Sequence, residues 1–185
     1  MTDGGGETFI RFEQAVLPHL SAAWNLARWL LRDRHDAEDI VQQSCLRACR
    51  GFATFRGGDA RAWLLTIVRN ACYSELSRRR RQRGEANARA SESLDDADLP
   101  APPAVGDPQL ALLRRMDHEA LAAAVEALPD VFREVLVLRE MEELSYQEIA
   151  EVASVPVGTV MSRLARARQR LQEALAGKIS AVDDA

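Results

Sequence analysis

The middle of the chain cannot contribute to a hydrophobic core. Residues 84–107 read GEANARASESLDDADLPAPPAVGD, are rich in Ala, Ser, Asp and Pro, and contain almost no large apolar side chains. Such a segment buries too little apolar surface to offset the entropy lost on ordering. We therefore predict a flexible acidic linker over residues 84–109, between one domain at residues 7–83 and a second at residues 110–177. This tether spans about 25–30 Å as a random coil, so the domains can reach separated sites on one partner.

Both flanking segments have the apolar spacing of α-helices. Near the start of the chain, apolar residues recur every three or four positions and so form one stripe, as in a helix with one buried face. This stripe comprises Phe9, Phe12, Val16, Leu20, Trp24, Ala27 and Leu31. A second helix is predicted from near Asp36, where acidic residues suit the helix dipole, and a third behind Asp59, whose carboxylate can cap it. Because no alternating strand pattern occurs, the predicted fold class is all-α.

The segment after the linker predicts further helices. One over residues 110–128 ends before Pro129, and residues 130–141 form the next. Ser145 and Glu148 have the spacing of a capping box, which starts a short helix through Ala153. Pro156 suits the first turn of a final helix. The apolar stripe of that helix is Val157, Val160, Leu164, Ala167, Leu171 and Leu175.

Positive charge is concentrated in two segments of a chain whose net charge is −4. Residues 56–83 contain eight arginines against Asp59 and Glu75, and residues 158–178 contain four arginines and one lysine against Glu173. Two basic segments on an acidic chain favour two localised contacts with a polyanion.

Each basic segment has a nucleic-acid interpretation and a plainer one. The final helix carries small and basic residues on its outward side, and a short helix, a turn and such a helix suit the DNA major groove. The plainer interpretation is an amphipathic helix with solvated arginines. In the first segment, Phe55 and Trp63 beside arginines suit unpaired bases. There the alternative is a buried Trp63 and an arginine run that opposes the helix dipole.

The three cysteines and the rest of the composition limit the remaining functions. Cys45, Cys49 and Cys72 are too few for a disulfide framework and suit a reducing compartment. Cys45 and Cys49 share a helix face near His35, so zinc or thiol sensing is one interpretation, but their apolar stripe favours a place in the core. We find no signal peptide, membrane span or catalytic grouping. We therefore expect a cytoplasmic, non-enzymatic protein without a cofactor or metal site.

Three stretches together resemble one family, the extracytoplasmic-function (ECF) sigma factors of the sigma-70 class. They are DAEDIVQQSCLRA, FRGGDARAWLLTIVRNACYSELSRRRR and LPDVFREVLVLREMEELSYQEIAEVASVPVGTVMSRLARARQRL, in that order. The resemblance implies a sigma domain 2 at residues 7–83 and a sigma domain 4 with a helix-turn-helix at residues 110–177. It also implies a specificity subunit that directs core RNA polymerase to promoter DNA and initiates transcription, stress-responsive and held back by an anti-sigma factor.

The resemblance also implies roles for particular residues. Polymerase binding falls to Asp36, Asp39, Gln42, Gln43 and Arg47. Contacts with the −10 promoter element fall to Phe55, Arg56, Trp63, Asn70, Arg78 and Arg79. Contacts with the −35 element fall to Thr159, Ser162, Arg163, Arg166 and Arg170. Two alternatives stay open, a helix-turn-helix repressor or activator that binds a palindrome as a dimer, and a sigma-mimicking protein that binds an anti-sigma factor but not DNA.

Overall fold

The computed structural model describes residues 4–83 and 118–183, which consist of helices and short connections without any strand. The all-α prediction is confirmed for these residues. The predicted linker at residues 84–109, and residues 110–117 of the predicted helix after it, lie outside the described part. Among the described residues, no helix combines the length and the apolar character needed to cross a membrane.

The first region contains four α-helices. They are α1 (Gly4–Val16), α2 (Leu20–Leu31), α3 (Arg34–Gly51) and α4 (Ala60–Gln82). The stripe that predicted one long helix at the start is divided between α1 and α2 by a 3₁₀ turn at Leu17–His19. Pro18 explains the break, because proline lacks an amide hydrogen and its ring clashes with the preceding helical turn. Phe9 is 50% exposed and does not join the buried part of the stripe.

Side-chain caps determine where α3 and α4 begin. The Asp33 carboxylate accepts a hydrogen bond from the Asp36 amide, which lowers the pKa of Asp33, so α3 starts two residues before the predicted position. The Asp59 carboxylate accepts from the Arg61 amide at 2.8 Å, as predicted for α4. Gly57 and Gly58 precede this cap with φ angles of +90° and +102°, which residues with a side chain rarely adopt.

The second region also contains four α-helices in its described part. They are α5 (His118–Ala127), α6 (Asp130–Leu136), α7 (Tyr146–Ala153) and α8 (Val157–Asp183). A π-helical turn, Val137–Met141, continues α6. The predicted capping box is present, with Glu148 accepting from the Ser145 amide and Ser145 accepting from the Glu148 amide. The apolar stripe of α8 is buried except for Val157, which begins the helix and is 37% exposed.

The two regions pack directly against each other. Leu64, Leu65 and Val68 of α4 belong to the same buried cluster as Ile149 of α7 and Leu164 of α8. Helix α4 contacts α7, and α2 contacts α6. Although the regions lie on either side of the predicted linker, they therefore share one hydrophobic interior, which we call the closed arrangement.

Candidate nucleic-acid and polymerase interfaces

The outward face of α3 holds the residues predicted to bind polymerase. Asp39, Gln42, Gln43 and Arg47 are exposed, whereas Asp36 is half-buried and forms an ion pair with Arg79 of α4. Beside this face lies an open, mainly apolar pocket of about 380 Å³. The pocket is lined by Leu20, Trp24, Glu38, Val41, Gln42, Cys45 and Leu46. Its apolar part was missed from the sequence, although the 55% exposure of Leu46 marks it in the structure.

The aromatic residues before and inside α4 form a small stack. The ring centroids of Phe55 and Trp63 are 4.9 Å apart, and Phe52 packs beneath both. Phe55 and Trp63 are half-buried, so neither is fully withdrawn into the core. Together with exposed Arg56 they line an open pocket of about 430 Å³, whose wall is completed by Glu151 of α7.

The other residues predicted to contact the −10 element are on α4. Asn70 is exposed and accepts a hydrogen bond from Arg69 at 3.3 Å. Arg78 donates two hydrogen bonds to Glu75, at 2.8 and 2.7 Å, and Arg79 donates a third at 2.8 Å. These hydrogen bonds lower the pKa of Glu75 to about 2. Arg79 is thus engaged by Glu75 and Asp36 within the first region.

A buried carboxylate connects α4 to the second region. Glu134 of α6 is fully buried and accepts hydrogen bonds from the Arg69 Nε and, at 2.9 Å, from the Tyr73 hydroxyl. Burial raises the pKa of Glu134, although Arg69 opposes the shift. Burial, together with Glu134, also raises the pKa of Tyr73. None of these three residues was predicted from the sequence to have a role in a site.

Arg133, also on α6, is fully buried against the end of α2. It donates to the backbone carbonyls of Trp29 and Leu30 at 2.9 and 3.4 Å, and to the Asp130 carboxylate at 3.0 Å. Burial lowers the pKa of Arg133, as does Arg32 nearby. Because the last carbonyls of a helix lack partners within that helix, Arg133 completes the C-terminal end of α2.

Further ion pairs surround these two buried groups. Glu142 accepts from Arg61 at 2.7 Å and from Asn25 at 3.0 Å, and Asp130 accepts from Arg80 at 2.7 Å. At the periphery, Glu126 lies 3.7 Å from Arg28. In each pair the first region supplies the cation or amide and the second supplies the carboxylate. We call the four carboxylates, Glu126, Asp130, Glu134 and Glu142, the acidic stripe.

The residues of α8 predicted to read the −35 element differ in their surroundings. Thr159 and Ser162 are half-buried, and the Ser162 hydroxyl donates to the Thr159 carbonyl at 3.1 Å. Arg170 is exposed and lies over the Phe132 ring at 5.2 Å, whereas Arg166 is half-buried. The Nε of Arg163 is buried without a hydrogen-bond partner among the described residues.

The thiols of the cysteines are partly or wholly withdrawn from solvent. Cys45 and Cys49 are half-buried on α3, and Cys72 is buried on α4. Burial raises the pKa of Cys72 to about 12, and burial together with Cys49 raises the pKa of Cys45. Residues 4–83 and 118–183 contain no group of three or more His, Cys, Asp and Glu side chains placed to hold a metal ion.

Comparison with known proteins identifies both regions. Sigma-70 region 2 matches residues 7–82 and Sigma-70 region 4 matches residues 118–171. The RNA polymerase sigma-H factor of Pseudomonas aeruginosa is 32% identical over 165 residues, which cover 89% of this chain and 86% of that protein. The ECF RNA polymerase sigma-E factor of Salmonella typhimurium is 33% identical over 137 residues, 74% of this chain and 72% of that one.

A solved structure resembles most of the chain. The sigma factor RpoE from Bartonella quintana, crystallised with the anti-sigma factor NepR, is 29% identical with a TM-score of 0.68, over 90% of this chain and 97% of that one. Fold and site together define an all-α protein with a helix-turn-helix and two basic helices. The chain belongs to the sigma-70 family of RNA polymerase sigma factors, in its ECF group.

Proposed function

We propose that this chain binds core RNA polymerase and directs it to promoters through separate contacts with the −10 and −35 elements. The observation that carries the proposal is the presence of both sigma-70 regions, in order, on one chain. The chain acts in the cytoplasm, where the polymerase works, as a specificity subunit and not as an enzyme. The domain limits are those predicted, residues 7–83 and 110–177.

Polymerase binds the outward face of α3. Asp39, Gln43 and Arg47 are four residues apart and therefore lie along one side of the helix, with Gln42 next to them. All four side chains are exposed, which supports a contact with another protein. Asp36 acts differently, because its carboxylate is already paired with Arg79 and serves to hold α3 against α4.

The −10 element is recognised as single-stranded DNA by the pocket between residues 54–59, which precede α4, and α4 itself. Phe55 and Trp63 offer aromatic faces for an unstacked base, and exposed Arg56 can neutralise a neighbouring phosphate. Asn70 lies two helical turns further along α4 and is exposed. Arg78, also exposed, extends the basic surface toward the end of the helix.

The −35 element is recognised as duplex DNA by the first turns of α8. Thr159 and Ser162 are short enough to let the helix approach the base edges, and Arg166 and Arg170 supply the charge for guanine or phosphate. Arg163 belongs to the same surface but its Nε is buried in the closed arrangement. This nitrogen is therefore not available to DNA in the closed arrangement.

An anti-sigma factor restrains the chain. This part of the proposal is supported by the likeness to RpoE of Bartonella quintana in complex with NepR. Each sigma-70 region matches less than half of the chain, so a TM-score of 0.68 requires both regions to superimpose together. The closed arrangement is therefore similar to that of a sigma factor bound to its inhibitor.

Transcription with reconstituted polymerase tests the proposal. The full-length chain, mixed with core RNA polymerase from its own organism, should form a complex that initiates at defined promoters. Arg166→Ala should cost about 1–3 kcal/mol of promoter discrimination if its side chain reads a base. Arg47→Ala should weaken the complex with core polymerase without changing promoter choice. Absence of any complex between the wild-type chain and core polymerase would refute the proposal.

A further inference from the structure

Two cysteines occupy neighbouring positions on one face of α3. Cys45 and Cys49 are four residues apart, so their Cβ atoms are about 5–6 Å from each other and the side chains lie one above the other. Both are half-buried and pack against the buried cluster. Burial is the main cause of the raised pKa of Cys45, and Cys49 adds to it, as expected for neighbouring sulfurs.

This spacing disfavours both a disulfide and a zinc site. A disulfide needs Cβ atoms about 3.8 Å apart, which is closer than successive turns of a helix bring them. Zinc takes at least three protein ligands, and within residues 4–83 and 118–183 no group of three His, Cys, Asp and Glu side chains is placed to hold a metal ion. The pair therefore suits a thiophilic centre that needs two sulfurs and inserts one atom between them.

The state of the thiols favours chelation over oxidation or alkylation. The raised pKa of Cys45 keeps its thiol protonated at neutral pH, whereas oxidants and alkylating agents react with the thiolate. A trivalent arsenical that has bonded one thiol gains a second bond from the thiol beside it. Because that second bond forms within one molecule, a dithiol binds far more tightly than an isolated thiol.

An apolar pocket lies open next to Cys45. It is the pocket of about 380 Å³ beside the polymerase-binding face, and Leu20, Trp24 and Leu46 supply apolar parts of its wall. Cavities of about 300–1,000 Å³ are typical of small-molecule sites. The organic substituent of an arsenical can therefore lie in this pocket while the arsenic bridges the sulfurs. Gln42, a proposed polymerase contact, lines the same pocket.

We propose that Cys45 and Cys49 form a dithiol site for a monosubstituted trivalent arsenical, and that the bound arsenical obstructs polymerase docking on α3. Each thiol replaces one hydroxyl group of the arsenical. Two As–O bonds break, two As–S bonds form, and each hydroxyl leaves with a thiol proton as water. Arsenic stays trivalent, so no oxidant or reductant is consumed. The binding step is independent of the proposed function, whereas the obstruction of polymerase rests on it.

Titration of the full-length chain with phenylarsine oxide tests the site. We expect the wild-type chain to bind one equivalent, detected by native mass spectrometry, and to release it to 1,2-ethanedithiol but not to the same concentration of 2-mercaptoethanol. Cys45→Ala and Cys49→Ala should each bind about a hundredfold more weakly or worse, since only one thiol of the pair remains. Cys45→Ser repeats the test with a side chain closer in shape, and circular dichroism checks that each variant is folded.

Cys72→Ala is the matched control, because Cys72 is the remaining cysteine and is buried on α4. We expect this variant to bind phenylarsine oxide as tightly as the wild-type chain. Equal affinity of the wild-type chain and folded Cys45→Ala would overturn the proposed site. An adduct that includes Cys72 would overturn it as well.

Binding to core polymerase is measured on the same proteins before and after loading, with excess phenylarsine oxide removed by gel filtration before the polymerase is added. The loaded wild-type chain should bind polymerase about tenfold more weakly than its own untreated sample. Cys45→Ala should bind equally well before and after the same treatment. Unchanged affinity of the loaded wild-type chain would overturn the obstruction.

The untreated wild-type chain keeps the two proposals distinguishable. If it fails to bind core polymerase, the proposed function is wrong. The titrations with phenylarsine oxide still decide whether the dithiol site exists, because they need no polymerase.

Discussion

The two basic helices, α4 and α8, are neutralised in different ways. In α4 the partners come from the same helix (Glu75), from α3 (Asp36) and from the other region, which supplies Asp130, Glu134 and Glu142. In α8 the partners of Arg168 and Arg170 are Glu140 and Phe132, both within region 4. The comparison shows that the excess of positive charge counted along α4 is largely offset by distant residues. Local sequence charge therefore overstates what α4 presents to DNA in the closed arrangement.

Replacing one arginine on each helix should give the largest difference between α4 and α8, measured as the free energy of unfolding. Arg69→Met leaves Glu134 buried without its cation, so we expect the free energy of unfolding to fall by about 2–4 kcal/mol. Arg168→Met removes a surface pair with Glu140, in which both side chains are about one-third exposed, and should cost about 0.5 kcal/mol. Urea unfolding followed by circular dichroism measures both. Equal losses would contradict the distinction between the helices.

A second substitution at the buried pair sharpens this prediction. Adding Glu134→Leu to Arg69→Met removes the unpaired carboxylate along with its cation, so part of the lost stability should return. Tyr73 loses its acceptor in the double variant, which keeps the recovery incomplete. A double variant less stable than Arg69→Met would show that Glu134 is stabilising even without Arg69.

The pair of arginines around Glu75 predicts a pH effect of intermediate size. The folded-state pKa of Glu75 is about 2, below its ordinary value of 4.5, so its contribution is complete above pH 4.5 and is lost as the pH falls toward 2. Glu75→Gln should therefore cost about 0.5–1 kcal/mol at pH 7, and the difference from wild type should shrink on acidification. Thermal unfolding between pH 7 and pH 3 measures this. A difference that grows on acidification would contradict the lowered pKa.

The smallest effect is expected for Arg170 on α8. Its guanidinium carbon lies 5.2 Å from the centre of the Phe132 ring, and the side chain is exposed, so Arg170→Met should cost about 0.5 kcal/mol or less in the free energy of unfolding. The same variant should weaken binding of polymerase complexes to duplex containing the −35 element. A large loss of stability with unchanged promoter binding would make Arg170 a structural residue.

Local features of the fold could be predicted from the sequence. The capping box of Ser145 and Glu148 and the cap at Asp59 depend on residues within three positions of each other, so the pattern itself contains the contact. The break at Leu17–His19 was missed although Pro18 signals it. The α3 residues predicted to bind polymerase are exposed, apart from Asp36, and their role stays a prediction.

The contacts between the regions could not be predicted in this way. Glu134 and Arg69 are 65 residues apart, Arg133 and Trp29 are 104 apart, and Asn25 and Glu142 are 117 apart. In sequence each of these polar residues is typical of a solvated helix face. Only the packing of α4 and α2 against the second region makes them buried partners, and it also changes the surroundings of Arg163.

The apolar cluster shared by the two regions has a consequence for what can keep them apart. Separating the two regions exposes leucine and valine side chains such as Leu65 and Val152 to water, and it also breaks the ion pairs between the regions. A sugar-phosphate backbone offers charge but no apolar surface that could cover these side chains. Promoter DNA by itself therefore cannot stabilise the separated regions well. Stable separation requires a protein that covers the exposed leucines while the DNA binds the arginines.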